Sequence, residues 1–154
     1  MELKAGEKAP AFSLPDENGR MRKLSDYKGK TIVLYFYPRD DTPGCTMEAC
    51  GFRDTVEEIR KKGAVVIGVS ADDAKSHQKF ISKYKLNFTL LSDVDKEVCK
   101  SYGVWREKSF MGKKFMGIVR STFVIDGKGK ITYAKYGVNP LGHAKGIMAV
   151  LEGN

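Results

Sequence analysis

Two segments of this chain are apolar at nearly every position. Thr31 to Tyr37 (TIVLYFY) and Ala64 to Ser70 (AVVIGVS) are runs rich in β-branched and aromatic residues, the pattern of strands buried on both faces. Between them the sequence predicts a helix from about Pro43 to Lys62. Thr42 is its N-cap, Pro43 takes the first helical position, where a missing N–H costs nothing, and Gly63 is a natural stop. Further on, Ala74 to Tyr84 reads as helix, Phe88 to Ser92 as strand and Lys96 to Tyr102 as a short helix. Near the start, Phe12 to Leu14 and Met21 to Leu24 flank PDENGR, whose Asn-Gly signal predicts a hairpin. A long loop to Met116 leads into strands Ile118 to Ile125 and Ile131 to Lys135, joined by DGKG, and a last helix spans about Pro140 to Leu151. This order predicts an α/β layer fold: a central mixed β-sheet flanked by helices, with an N-terminal β-hairpin.

Length and composition narrow the class. With 154 residues the chain suits one domain, 1–154, and at 42% hydrophobic and 30% charged it reads as soluble and globular. No apolar run approaches the roughly 20 residues of a membrane span, and the charged opening MELKAGEK is unlike a signal peptide, so a cytoplasmic protein with no membrane partner is expected. The net charge of +8 is scattered. Arg60, Lys61 and Lys62 close a helix, where cations complement the dipole, and Arg106, Lys108, Lys113 and Lys114 form a looser cluster in the long loop. No nucleic-acid-binding motif accompanies them, so the expectation is a solvated basic surface without a specific nucleic-acid partner. Three cysteines are few for a disulfide-stapled domain, and an odd number leaves one unpaired. With His77 and His143 they show no metal-ligand spacing.

Cys45 carries the candidate chemistry. It falls in the first turn of the predicted helix, where free N–H groups and the positive end of the dipole favour an anion such as a thiolate. A free thiol of pKa about 8.5 is only a few per cent ionised at pH 7, and lowering that by two to three pH units takes roughly 3 to 4 kcal/mol. A helix N-terminus supplies at most about 2 kcal/mol, so a further cation is needed. One Arg within about 4 Å would supply the remainder, and its fork of donors could hold an oxygen-rich substrate. Arg120 is the candidate, because a charge is unusual among Ile118, Val119, Phe123 and Val124. Arg39 and Arg53 compete with it, and the residues alone exclude neither.

Pro38, Thr42 and Cys45 match the PxxxTxxC motif of the peroxiredoxins, and DDTPGCTMEAC resembles the form found in the peroxiredoxin Q, or bacterioferritin comigratory protein, group. GEKAPAFSLPDENG, YGVWREKSFMGKKFMGIVRSTFVID and GKITYAKYGVNPLGH extend the resemblance over essentially the whole chain. It implies a thioredoxin-like fold and a thiol peroxidase acting on hydrogen peroxide and organic hydroperoxides. In that reading Cys45 attacks the peroxide, Thr42 and Arg120 hold its oxygens, and Pro38 shields the thiolate. Glu48 orients the guanidinium or is simply a solvated first-turn residue, while Trp105 and Met111 pack near the pocket rim.

The resemblance also favours Cys50 as the resolving thiol, with Cys99 structural. Residues five apart on an intact helix have Cα atoms about 8.6 Å apart, whereas a disulfide needs roughly 4.4 to 6.8 Å. A Cys45–Cys50 bond therefore requires the first turns to unwind, and Gly44 and Gly51 lower the cost of doing so. A thioredoxin-like or glutaredoxin-like reductant, no cofactor, and a monomer or weak dimer complete the expectation. Two other functions stay open here. One is a general thiol–disulfide oxidoreductase, although this chain lacks CxxC. The other is a redox-switched chaperone or binding protein in which oxidation opens the same helix.

Overall fold

The computed structural model describes residues 2–153; Met1 and Asn154 lie outside them. In chain order the elements are β1 (Ser13–Pro15), β2 (Met21–Lys23), a short 3-10 helix (Leu24–Tyr27), β3 (Thr31–Phe36), α1 (Pro43–Lys61), β4 (Ala64–Ser70), α2 (Ala74–Tyr84), β5 (Thr89–Ser92) and α3 (Glu97–Ser101). They continue with β6 (Trp105–Phe110), β7 (Lys113–Ile118), β8 (Ser121–Ile125), β9 (Ile131–Tyr136) and α4 (His143–Glu152).

The two apolar runs lie side by side as β3 and β4 in a five-stranded sheet of order β5-β4-β3-β8-β9. β3, β4 and β5 are parallel, while β8 runs antiparallel to both β3 and β9. The crossovers through α1 and α2 step the same way along the sheet. The right-handed rule puts both helices on one face, where they share an apolar cluster with α4. Alternation along β3 divides the core: Val33, Tyr35 and Tyr37 face this helical layer. Ile32, Leu34 and Phe36 face a second cluster with Phe12, Cys99, Tyr102 and Phe123. This is a thioredoxin-like arrangement, a mixed central sheet flanked by helices.

Two predicted features come out differently. The expected loop before Met116 is the β6–β7 hairpin, turning at Met111 and Gly112, both with positive φ. Its strands are dense in lysine and mostly exposed, so it carries little of the apolar alternation that marks a buried strand. The expected strand Ile118 to Ile125 is broken at Val119 and Arg120. There the Val119 N–H donates to the Val104 carbonyl, and the Val138 N–H to the Arg120 carbonyl, linking this break to neighbouring segments.

Phe123 is fully buried and meets Phe36, Tyr102 and Tyr136, with ring centroids 5.8, 5.2 and 5.4 Å away. Phe123→Ala should lower unfolding free energy in urea by about 3–5 kcal/mol. A loss below about 1 kcal/mol would show that this cluster collapses around the cavity instead of keeping it.

Candidate active site

Pro38 carries the chain out of the sheet beyond β3, and the next residues are pinned to α2. The buried Asp40 carboxylate accepts from the Tyr37 hydroxyl at 2.6 Å, the Ser76 hydroxyl at 2.8 Å and Nδ1 of buried His77 at 2.7 Å. Nε2 of His77 lies 3.0 Å from the Leu91 carbonyl, which can only accept, so Nε2 carries a proton there. Burial pulls the His77 pKa down, but its bonds to Asp40 outweigh this and the net direction is up. Asp41 takes the left-handed backbone region (φ 55°). Its carboxylate accepts from Lys83 and the Tyr84 hydroxyl at 2.8 and 2.6 Å.

α1 then starts with Thr42 as N-cap and Pro43 in the first turn, and Cys45 is buried below them. Pairing of Phe36 with Ser121 sets Arg120 beside the end of β3. From there its Nη2 donates to Cys45 Sγ at 3.4 Å and its Nη1 to Glu48 Oε1 at 2.7 Å. A Cβ at position 44 would lie 3.0 Å from Nη2, so glycine leaves room for the guanidinium to reach the sulfur. Arg53 is drawn instead to the Tyr84 carbonyl at 2.7 Å and to Asp54 at 3.0 Å, and Arg39 is exposed. Glu48 is buried against Arg120, not solvated.

The remaining candidates divide. The Thr42 hydroxyl donates to the Arg39 carbonyl at 2.9 Å and makes no capping bond. The expectation that its side chain caps the helix is therefore corrected, and because a hydroxyl has one proton, which the Arg39 carbonyl takes, it is left as an acceptor toward the sulfur or a peroxide oxygen. Trp105 packs with the cluster on the far face of the sheet, under Lys96 at 5.8 Å, and not at a rim around Cys45. It follows directly on Val104, which is itself part of that cluster. Met111 is 88% exposed at its hairpin turn, not packed in a core. Cys50 is half-buried within continuous α1, so the helical separation from Cys45 applies. Cys99 lies in the other cluster, across the sheet from Cys45, and burial aided by Asp93 pushes its thiol far up, away from the nucleophilic form.

The AhpC/TSA family profile matches residues 5–134. Peroxiredoxin Bcp of Escherichia coli K12 is 52% identical over 131 residues, covering 85% of this chain and 84% of that one. Among solved structures, Xanthomonas campestris peroxiredoxin Q superposes with a TM-score of 0.91 at 37% identity, covering 99% of each chain. The bacterioferritin comigratory protein of the same organism, solved in trapped intermediate and ligand complexes that bear on its alkyl peroxide reduction, gives 0.90 at 37% identity over 97% of this chain and 98% of that one.

One neighbour of Glu48 is not among the sequence-predicted site residues. His143 sits far from Cys45 in sequence, yet α4 begins against α1 and sets its Nε2 3.9 Å from Glu48 Oε2 and 2.8 Å from Thr122 Oγ1. Its sequence signal is a histidine opening a helix that is largely apolar apart from Lys145 and Glu152. Burial raises Glu48 from 4.5 to about 7 against the pull of Arg120, and its Oε2 has no hydrogen-bond partner among the described residues. Burial, then Lys135 and Arg120, lowers His143 from 6.5 to about 4.

Between pH 4.5 and 7 the folded chain keeps a proton on Glu48 that the unfolded chain has lost, so this group makes stability fall as pH rises. Between pH 4 and 6.5 the unfolded chain holds a proton on His143 that the folded chain lacks, so this group makes stability rise. Each effect is on the order of 3 kcal/mol at full extent, and over the shared window they oppose each other. Relative to the parent, Glu48→Gln should gain stability as pH rises from 4.5 to 7, and His143→Gln should lose it as pH rises from 4 to 6.5, in urea titrations at each pH. Parallel pH profiles for the parent and both variants would refute the coupling.

Proposed function

Because the chain belongs to the AhpC/TSA family, within it to the peroxiredoxin Q group, and is a thiol peroxidase, we propose that Cys45 is the sulfur that meets the peroxide. The observation that carries this is the Arg120 guanidinium, which reaches the buried Cys45 sulfur and the Glu48 carboxylate together at the start of α1. The thiolate attacks the terminal peroxide oxygen and the O–O bond breaks. Sulfur becomes sulfenic acid, and the departing oxygen leaves as water or alcohol after taking a proton. Arg120 and the free N–H groups of the first turn face the charge that develops on the oxygens. Thr42 contributes its acceptor oxygen, and Pro38 covers the site from the strand side. Hydrogen peroxide and organic hydroperoxides both suit this chemistry.

The second half-reaction needs Cys50. Its thiolate attacks the Cys45 sulfenic sulfur, expelling hydroxide that leaves as water, and α1 must unwind at its start for the two sulfurs to meet. A thioredoxin-like or glutaredoxin-like dithiol then reduces the disulfide and itself becomes oxidised. We assign this work to a cytoplasmic monomer or weak dimer that needs no cofactor. Among the described residues no helix is long and apolar enough to cross a membrane.

Cys45→Ser should abolish peroxide turnover coupled to a thioredoxin system, and Arg120→Met should lower kcat/KM by about 10²- to 10³-fold; full activity in either removes that residue from the mechanism. Mass spectrometry after one equivalent of peroxide should recover a Cys45–Cys50 linked peptide. A Cys45–Cys99 peptide, or a persistent sulfenic acid, would displace Cys50 from the resolving role.

A further inference from the structure

The β6–β7 hairpin delivers a second cation to the strand end that leads to Arg120. Lys108 pairs across the hairpin with Phe115 and reaches along the same face toward Gly117. A Cβ on residue 117 would come within 3.0 Å of the Lys108 Cδ, so glycine there leaves a track for the stem. At the end of that track Nζ donates to the Ile118 carbonyl at 2.9 Å. Ile118 is the last residue of β7, and Arg120 follows two positions later. Among the described residues Lys108 makes no ion pair, although it is half-buried.

Two cations held together repel each other. Burial first, then the charge of Arg120, pushes the Lys108 ammonium below the usual lysine range, while Cys45 acts on it in the opposite direction. An arrangement that is costly for cations alone is relieved by a nearby anion, and a thiolate at Cys45, which Arg120 contacts, would be such an anion. Arg120 cannot give it all of its charge, because Glu48 holds the other arm of the guanidinium.

We propose that Lys108 is a positioning residue of the peroxidase site, holding the end of β7 that leads to Arg120 and supplying a second positive charge that favours the Cys45 thiolate. This rests on Cys45 being the attacking thiol. The Met side chain can still cover Gly117 but carries no charge, and Arg keeps the charge.

The test follows the iodoacetamide alkylation rate of Cys45 against pH, read on the Cys45 peptide by mass spectrometry, together with kcat/KM for hydrogen peroxide over the same range. In Lys108→Met the alkylation midpoint should move up by roughly half to one pH unit, as expected for loss of one nearby charge at an intermediate effective dielectric. Its kcat/KM should fall about 3- to 10-fold below that midpoint and converge on the parent at high pH. Lys108→Arg should restore most of both. An unchanged midpoint in Lys108→Met, or an equal shift in Lys108→Arg, overturns the assignment. Because alkylation reads the Cys45 sulfur directly, these outcomes are distinct from failure of the thiol assignment, which would appear as peroxide turnover surviving in Cys45→Ser.

Discussion

The site depends on one guanidinium shared between two acids. Arg120 spends Nη1 on Glu48 and Nη2 on Cys45, two groups one turn apart on the buried face of α1. Burial pushes Glu48 up, toward its neutral form, which leaves more of the Arg120 charge for the sulfur. A fully ionised Glu48 would compete for the same cation and repel a thiolate beside it. The carboxyl thus holds the guanidinium in place without monopolising it. Low exposure on both sides keeps water from screening the arrangement, with side-chain values of 14% for Arg120 and 0% for Glu48.

Sheet register makes this contact. Arg120 and Cys45 are 75 residues apart, and they meet because β8 pairs with β3 so that Ser121 lies opposite Phe36. A slip of one residue would turn every side chain of β8 to the other face and carry Phe123 out of its cluster. The packing that stabilises the sheet and the placement of the cation are therefore one constraint. The break at Val119–Arg120 completes it by releasing the arginine from the ladder just where the chain passes the start of α1.

The same continuous helix that carries Cys45 in its first turn also keeps it from Cys50. If α1 opens there, as a bond between them requires, the structure bounds the opening on both sides. Upstream, Asp40 is held by Tyr37, Ser76 and His77. Downstream, Phe52 is fully buried and stacked on Tyr35 with centroids 4.8 Å apart. Between these anchors lies about two turns of helix, including Gly44 and Gly51. Gly51 also lies close enough to α4 that a Cβ there would touch Ala144 at 3.4 Å. Packing against α4 thus opposes the flexibility that glycine provides.

What the sequence determined by itself is local. Continuous apolar runs announce β3 and β4, a capping threonine and a proline announce the start of α1, and these place Cys45 in a first turn where an anion is favoured. The charge-dense β6–β7 hairpin was not legible, because exposed strands lack an apolar face to mark them. Arg120 stood out as a candidate but could not be separated from Arg39 and Arg53. Nothing local in the sequence tells that Trp105 packs on the far face of the sheet or that Met111 is exposed at a hairpin turn. Tertiary structure decided which cation reaches the sulfur, where the Thr42 proton goes, and that His143 and Lys108 belong to the neighbourhood. These depend on sheet register and helix packing between segments distant in the chain, and no local propensity encodes which side chains such pairing brings within 4 Å.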